Sequence, residues 1–84
     1  MKKIPTLKCE ELVKFLESLG FKKIRQKGSH IRFRHLDGRV TTVPFHRGKE
    51  IPKGLLRKII REDLELTLEE FIELYKKNKN IKKH

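Results

Sequence analysis

The chain has 84 residues, 36% of them hydrophobic and 39% charged, and a formal net charge of +11. A length of this order makes one domain with a compact core, because so small a chain buries only roughly 60% of the surface its unfolded form exposes. No apolar run exceeds two residues, far short of the roughly 20 that cross a bilayer. Met1-Lys2-Lys3 is not followed by the apolar stretch of a secretory leader, so neither anchor nor leader is expected. Cys9 is alone and cannot close a disulfide within the chain, which points to a reducing cytoplasm.

The charge is segregated. Between Phe21 and Arg61 there are thirteen Lys or Arg and two acids, Asp37 and Glu50, whereas residues 62–73 hold six acids and no base. A positive field concentrated on the middle of a chain fits a polyanionic partner, of which nucleic acid is the commonest.

In chain order, a first helix is predicted over residues 7–19, with Thr6 as N-cap and Glu10 and Glu11 near the positive end of its dipole. Leu12, Phe15, Leu16 and Leu19 form its apolar stripe, and Gly20 takes the left-handed position that ends it. Strands are predicted over 21–27, 30–36 and 39–43. Gly28-Ser29 separates the first two, and Pro44, which cannot donate to a ladder, closes the third. Strand alternation puts Ile31, Phe33 and His35 on one face of the second strand, with His30, Arg32 and Arg34 on the other. If Asp37-Gly38 is a two-residue turn, Arg32 pairs with Val43 and Val43 lies on the open face. A bulge or longer turn puts Val43 in the core instead, and the sequence leaves both open.

A loop over 44–51 leads to a second helix whose first turn suits Pro52. Leu55, Leu56, Ile59 and Ile60 make its buried stripe and leave Arg57, Lys58 and Arg61 outside. Thr67-Leu68-Glu69-Glu70 is a capping box opening a third helix, with Leu68, Phe71, Ile72 and Tyr75 on one side. From Lys76 the lysine-rich end reads as a frayed tail. The expected fold is α+β, in the order α-β-β-β-α. A three-stranded antiparallel sheet carries helices on one face, and an extra C-terminal helix follows. Residues 1–66 make the principal unit, and 67–84 pack on it or extend it.

His30 is the leading site candidate. It opens a strand after Gly28-Ser29, with Lys27, Arg32 and Arg34 around it. Cleavage of RNA through its 2′-hydroxyl needs a base, cations for the charge on phosphorus, and an acid for the leaving oxygen. Histidine, with an ordinary pKa of about 6.5, supplies either form near neutrality, and arginines clamp phosphate in bidentate fashion. His46, in the loop after the third strand, comes near the start of the second in an antiparallel pairing. It can be the general acid, a phosphate ligand or only a loop residue. The Gly28-Ser29 turn either offers backbone N–H groups to phosphate or simply needs glycine. His35 falls on the core side as a partly buried hydrogen-bonding residue, His84 lies in the tail, and Cys9 is read as packing. Ser29 lacks the third group of a nucleophilic site. The histidines have no zinc-ligand spacing and no cysteine pair, so no metal is expected.

Gly20-Phe21, Gly28-Ser29-His30, Val43-Pro44-Phe45-His46 and Leu55-Leu56-Arg57-Lys58-Ile59, in that order, resemble the HicA toxin family over about residues 4–66. The resemblance implies a fold like the double-stranded-RNA-binding domain. It also implies an mRNA interferase of a type II toxin–antitoxin pair, working without a cofactor and neutralised by a HicB-type antitoxin that covers the active face. The catalytic histidine of the family's Gly-Ser-His motif falls on His30. The third helix and lysine-rich end depart from the pattern. The resulting expectation is a metal-independent endoribonuclease acting on mRNA. His30 is its catalyst, Lys27, Ser29, Arg32, Arg34 and Arg47 are phosphate contacts, and His46 is a second proton-transfer group. A non-catalytic RNA-binding module is the rival. No recognition helix for specific DNA binding is evident.

Overall fold

The computed structural model describes residues 4–81, with side chains to residue 77. Its elements are α1 (Cys9–Ser18), β1 (Lys22–Lys27), β2 (His30–Arg34), β3 (Val40–Pro44), α2 (Lys53–Lys58) continuing into a π-helical turn (Ile59–Asp63), and α3 (Leu68–Ile81). The sheet is antiparallel in the order β1-β2-β3, with helices on one face, so the expected α-β-β-β-α order with an added C-terminal helix is the one observed. Among the described residues no helix is long and apolar enough to cross a membrane.

α1 starts two residues later than periodicity predicts, and Lys8, not Thr6, is its N-cap. The cause is tertiary. Residues 7–9 run extended beside 49–51, with Ile51 N–H donating to the Leu7 carbonyl at 2.7 Å and Cys9 N–H to the Lys49 carbonyl at 2.8 Å. The Glu11 carboxylate accepts the Lys8 N–H at 2.8 Å. The helix ends as expected. Gly20 has φ 101°, Gly20 N–H donates to the Glu17 carbonyl and Phe21 N–H to the Leu16 carbonyl. That is the Schellman pattern, which satisfies carbonyls the helix leaves open.

The β2–β3 connection settles the register. His35 N–H donates to the Arg39 carbonyl at 2.8 Å, leaving a three-residue loop, Leu36-Asp37-Gly38, with Gly38 at φ 100°. A left-handed third residue is the usual device of such loops. Ile31 therefore pairs with Val43, Phe33 with Thr41 and Arg32 with Thr42. Val43 and Phe33 are buried while Arg32 and Thr42 are exposed. β2 stops at Arg34, two residues short of its predicted end, because His35 turns back into the loop. The β1–β2 register shifts between Lys23 and Arg25, so Ile24 is bulged and half exposed.

Among the described residues one core holds the fold together. Leu12, Phe15 and Leu16 of α1, Phe33 and Val43 of the sheet, Leu56, Ile59, Ile60 and Leu64 after β3, and Phe71 of α3 are all buried. The Phe71 ring meets Phe15 edge-on with centroids 5.0 Å apart. The π turn, where Leu64 N–H reaches back to the Ile59 carbonyl at 2.8 Å, was not foreseen. Over this stretch Leu64 lies in the core and Asp63 accepts the buried Thr41 hydroxyl at 2.8 Å. Thr67 and Glu70 form the predicted capping box. α3 runs to Ile81, so the backbone expected to fray from Lys76 is helical that far; His84 lies outside the described residues.

Candidate nucleic-acid interface and catalytic histidine

Because directly paired residues project to the same side, the register defines the open face residue by residue. Lys27, His30 and Pro44 make one row, Arg25, Arg32 and Thr42 the next, and Lys22, Arg34 and Val40 the third. Five of these nine side chains are Lys or Arg, one is His, and none is acidic. Like charges face each other at Arg25–Arg32 and Lys22–Arg34, an arrangement that destabilises a sheet. A face that keeps such pairs side by side is suited to a polyanion that neutralises them.

His30 is exposed at the rim of this face, directly opposite Lys27 across the Gly28-Ser29 turn. Gly28 has φ 57° while Ser29 does not go positive, the signature of a turn that matches strand twist, and here it demands glycine at its first position. The Ser29 carbonyl accepts the Phe45 N–H at 2.6 Å, so β3 is held against the turn one residue past the Pro44–His30 pair. The Cys9 thiol donates to the Pro44 carbonyl at 3.2 Å, tying the same corner to α1. The cysteine read from sequence as packing is thus buried and also fastens the strand opposite His30.

The predicted site residues divide in two. Lys27, His30, Arg32 and Arg34 share the open face, with Ser29 in the adjoining turn. His46 lies two residues beyond Pro44, in the loop, and borders a depression of about 400 Å3 that Cys9, Lys49, Ile51 and Leu55 also line. Arg47 stands toward the start of α1. Gly48 N–H donates to Glu10 at 3.0 Å, and that bond, aided by the charges of Lys8 and Arg47, holds the Glu10 carboxyl below its ordinary range. His35 is partly buried as expected. Its Nε2–H donates to the Leu19 carbonyl at 3.0 Å, and Nδ1 accepts the Asp37 N–H at 3.1 Å. Among the described residues no three His, Cys, Asp or Glu side chains are grouped so as to hold a metal ion.

Two members of the face escaped the sequence reading, Lys22 and Arg25. Arg25 was recoverable, since a two-residue turn at Gly28-Ser29 places it opposite Arg32. Lys22 was not, because only the bulge at Ile24 brings it, in place of Lys23, opposite Arg34.

These features define a class: a small α+β domain with a cationic open sheet and a histidine at its rim. The family follows from comparison. Residues 9–64, two thirds of the chain, match the model of the HicA toxin of bacterial toxin–antitoxin systems, and the chain belongs to that family. The match runs from α1 through the π turn and leaves α3 outside. Membership in a toxin–antitoxin family implies an antitoxin partner. No curated protein matches the chain.

Proposed function

We propose that this toxin is an endoribonuclease that cuts mRNA on the open sheet face, with His30 as its proton-transfer group and no metal in the reaction. The observation that carries the reading is the ladder of like charges, Lys22–Arg34 and Arg25–Arg32, ending at the Lys27–His30 pair. The ladder gives phosphates a seat, and the row nearest the turn adds an imidazole to it. Two arginines and a lysine beside the scissile phosphate offset the charge that grows on its oxygens.

In the proposed step, His30 takes the 2′-hydroxyl proton as that oxygen attacks phosphorus. The bond from phosphorus to the 5′-oxygen breaks, and that oxygen receives a proton from a second group, for which His46 is our assignment. The products are a 2′,3′-cyclic phosphate and a 5′-hydroxyl. Lys27, Arg32 and Arg34 hold phosphate beside the reaction, the Ser29 turn borders it, and Arg47 contacts a flanking phosphate. A HicB-type antitoxin covering this face would silence the enzyme by excluding RNA.

The test is RNA integrity after incubating the wild type and His30→Ala with a long mRNA in EDTA. Cutting by the wild type alone, with equal melting temperatures, supports the mechanism. RNA bound but uncut by both would make the domain a binding module.

A further inference from the structure

The molecule carries a second cationic surface, on the side opposite the open sheet face. Gly54, Arg57, Lys58 and Arg61 fall at i, i+3, i+4 and i+7, a single stripe along α2 and the π turn, and they line one depression of about 520 Å3 with Glu62. The buried side of the same helix is Leu56, Ile59 and Ile60, so the stripe points away from the core and from the sheet. Arg57, Lys58 and Arg61 are exposed. Among the described residues no ion pair or hydrogen bond engages their side chains, although Glu62 borders the same depression.

Two features lack a reason within the fold. Arg57 and Arg61 are like charges one turn apart, an arrangement that weakens a helix. Gly54 is a poor helix residue, yet a Cβ there would meet nothing within 4 Å and its φ is not in the left-handed region. Neither packing nor backbone conformation demands glycine. Its absent side chain does leave the floor of the depression open to a ligand backbone.

We propose that this stripe is a second RNA-binding site, which holds the phosphodiester backbone of a stretch of RNA away from the cutting face. The proposal rests on reading the chain as an RNA-acting enzyme. Three unpaired cations along one helix suit a row of phosphates. Of the helix's apolar residues, Leu56, Ile59 and Ile60 are buried and the partly buried Leu55 lines the depression beside His46 instead. The stripe itself therefore offers none of the apolar anchors at the centre of a protein–protein interface. Holding one RNA at two faces raises its effective concentration at His30 without any new contact there.

The test uses the full chain and a 2′-O-methyl RNA oligonucleotide, which lacks the attacking hydroxyl and cannot be cut. Affinity is measured against salt for the wild type, for Arg57→Gln/Lys58→Gln/Arg61→Gln, and for Arg32→Gln/Arg34→Gln on the sheet. With about 0.7 of a counterion released per single-strand phosphate, removing three contacts lowers the salt slope by about 2. The wild type then loses about 18-fold more affinity than the helix variant between about 50 and 200 mM salt. That result, together with weaker RNA binding and a higher melting temperature for Gly54→Gln, supports the site. An unchanged slope in the helix variant overturns it, and a sheet variant that still loses slope then leaves the cutting face standing. Unchanged slopes in both variants overturn the two readings together. A helix variant that keeps its RNA slope but no longer binds purified antitoxin gives the stripe to an acidic protein and also overturns the proposal.

Discussion

Arg25 on β1 and Arg32 on β2 stand directly opposite one another on the open face. Opposed like charges weaken a strand pair, and opposite charges at the same positions contribute roughly 0.2–1 kcal/mol. Arg32→Glu should therefore raise stability by about half a kcal/mol at low salt, after allowance for solvent screening, and the gain should fade in high salt. RNA affinity should fall by more than about tenfold, since a phosphate contact is lost and a repulsive charge takes its place. Thermal melting and RNA binding on the same variant check both halves. A variant less stable than wild type at low salt would mean that the pair is not strained.

Gly20 and His35 set a second constraint. Gly20 has φ 101°, and a Cβ there would stand 3.1 Å from His35 Nε2, the atom that donates to the Leu19 carbonyl. Gly20→Ala adds backbone strain and crowds the imidazole out of that bond, for a loss of about 2–3 kcal/mol. A domain of this size should melt roughly 10 °C lower or more. His35→Ala relieves the crowding but not the strain, so the double variant should melt at a higher temperature than the two separate losses, added together, would give. Additive losses would show that the ring and the glycine do not meet.

The fold was legible where local chemistry and tertiary demand agree. The stripe of α1, its Gly20 stop and the Thr67–Glu70 capping box each need only a few neighbouring residues. The start of α1 was not legible, because residues 7–9 are held extended by residues 49–51, far along the chain. The Val43 register depended on whether the loop after β2 held two or three residues, which Asp37-Gly38 alone does not fix. The row His30, Arg32, Arg34 could be read because alternation within one strand is local. Lys22 needed a bulge that leaves no mark in the sequence. The π turn at Ile59–Asp63 had none either, since Leu55, Leu56, Ile59 and Ile60 fit an ordinary helix equally well.

Asp37 ties the β2–β3 loop and should make stability acid-sensitive. Its carboxylate accepts the Arg39 N–H at 3.0 Å and Arg39 Nε at 2.8 Å, and lies 3.2 Å from His35 Nδ1. The bond from the Arg39 N–H leads in holding its pKa below the ordinary 3.8, partly opposed by desolvation and aided by the guanidinium. A carboxyl depressed in the folded state adds stability that is fully present above its unfolded pKa and disappears as pH falls through the folded value. Asp37→Asn should melt below wild type at pH 7, and the gap should close as pH drops below about 4. A gap that stays constant down to pH 2 would assign the loss to loop geometry instead of ionisation.

α3 lies beyond the family match, yet Phe71 is fully buried against Phe15 and packs 6.0 Å from Tyr75. Losing a ring of this kind costs about 3–5 kcal/mol, a large part of the roughly 4–13 kcal/mol that a domain of this length commands. Phe71→Ala should therefore lower the melting temperature by more than about 10 °C. A chain ending at Leu66 should lose cooperative unfolding, because Phe15 and the apolar residues around it are then open to water. Circular dichroism melts of the two variants test this directly. If the shortened chain melted cooperatively at the full-length temperature, residues 9–64 would be self-sufficient and α3 an attachment. If both variants unfold early as expected, α3 is part of the toxin's core, and loss of RNA cutting on its removal would report unfolding, not a lost contact with RNA.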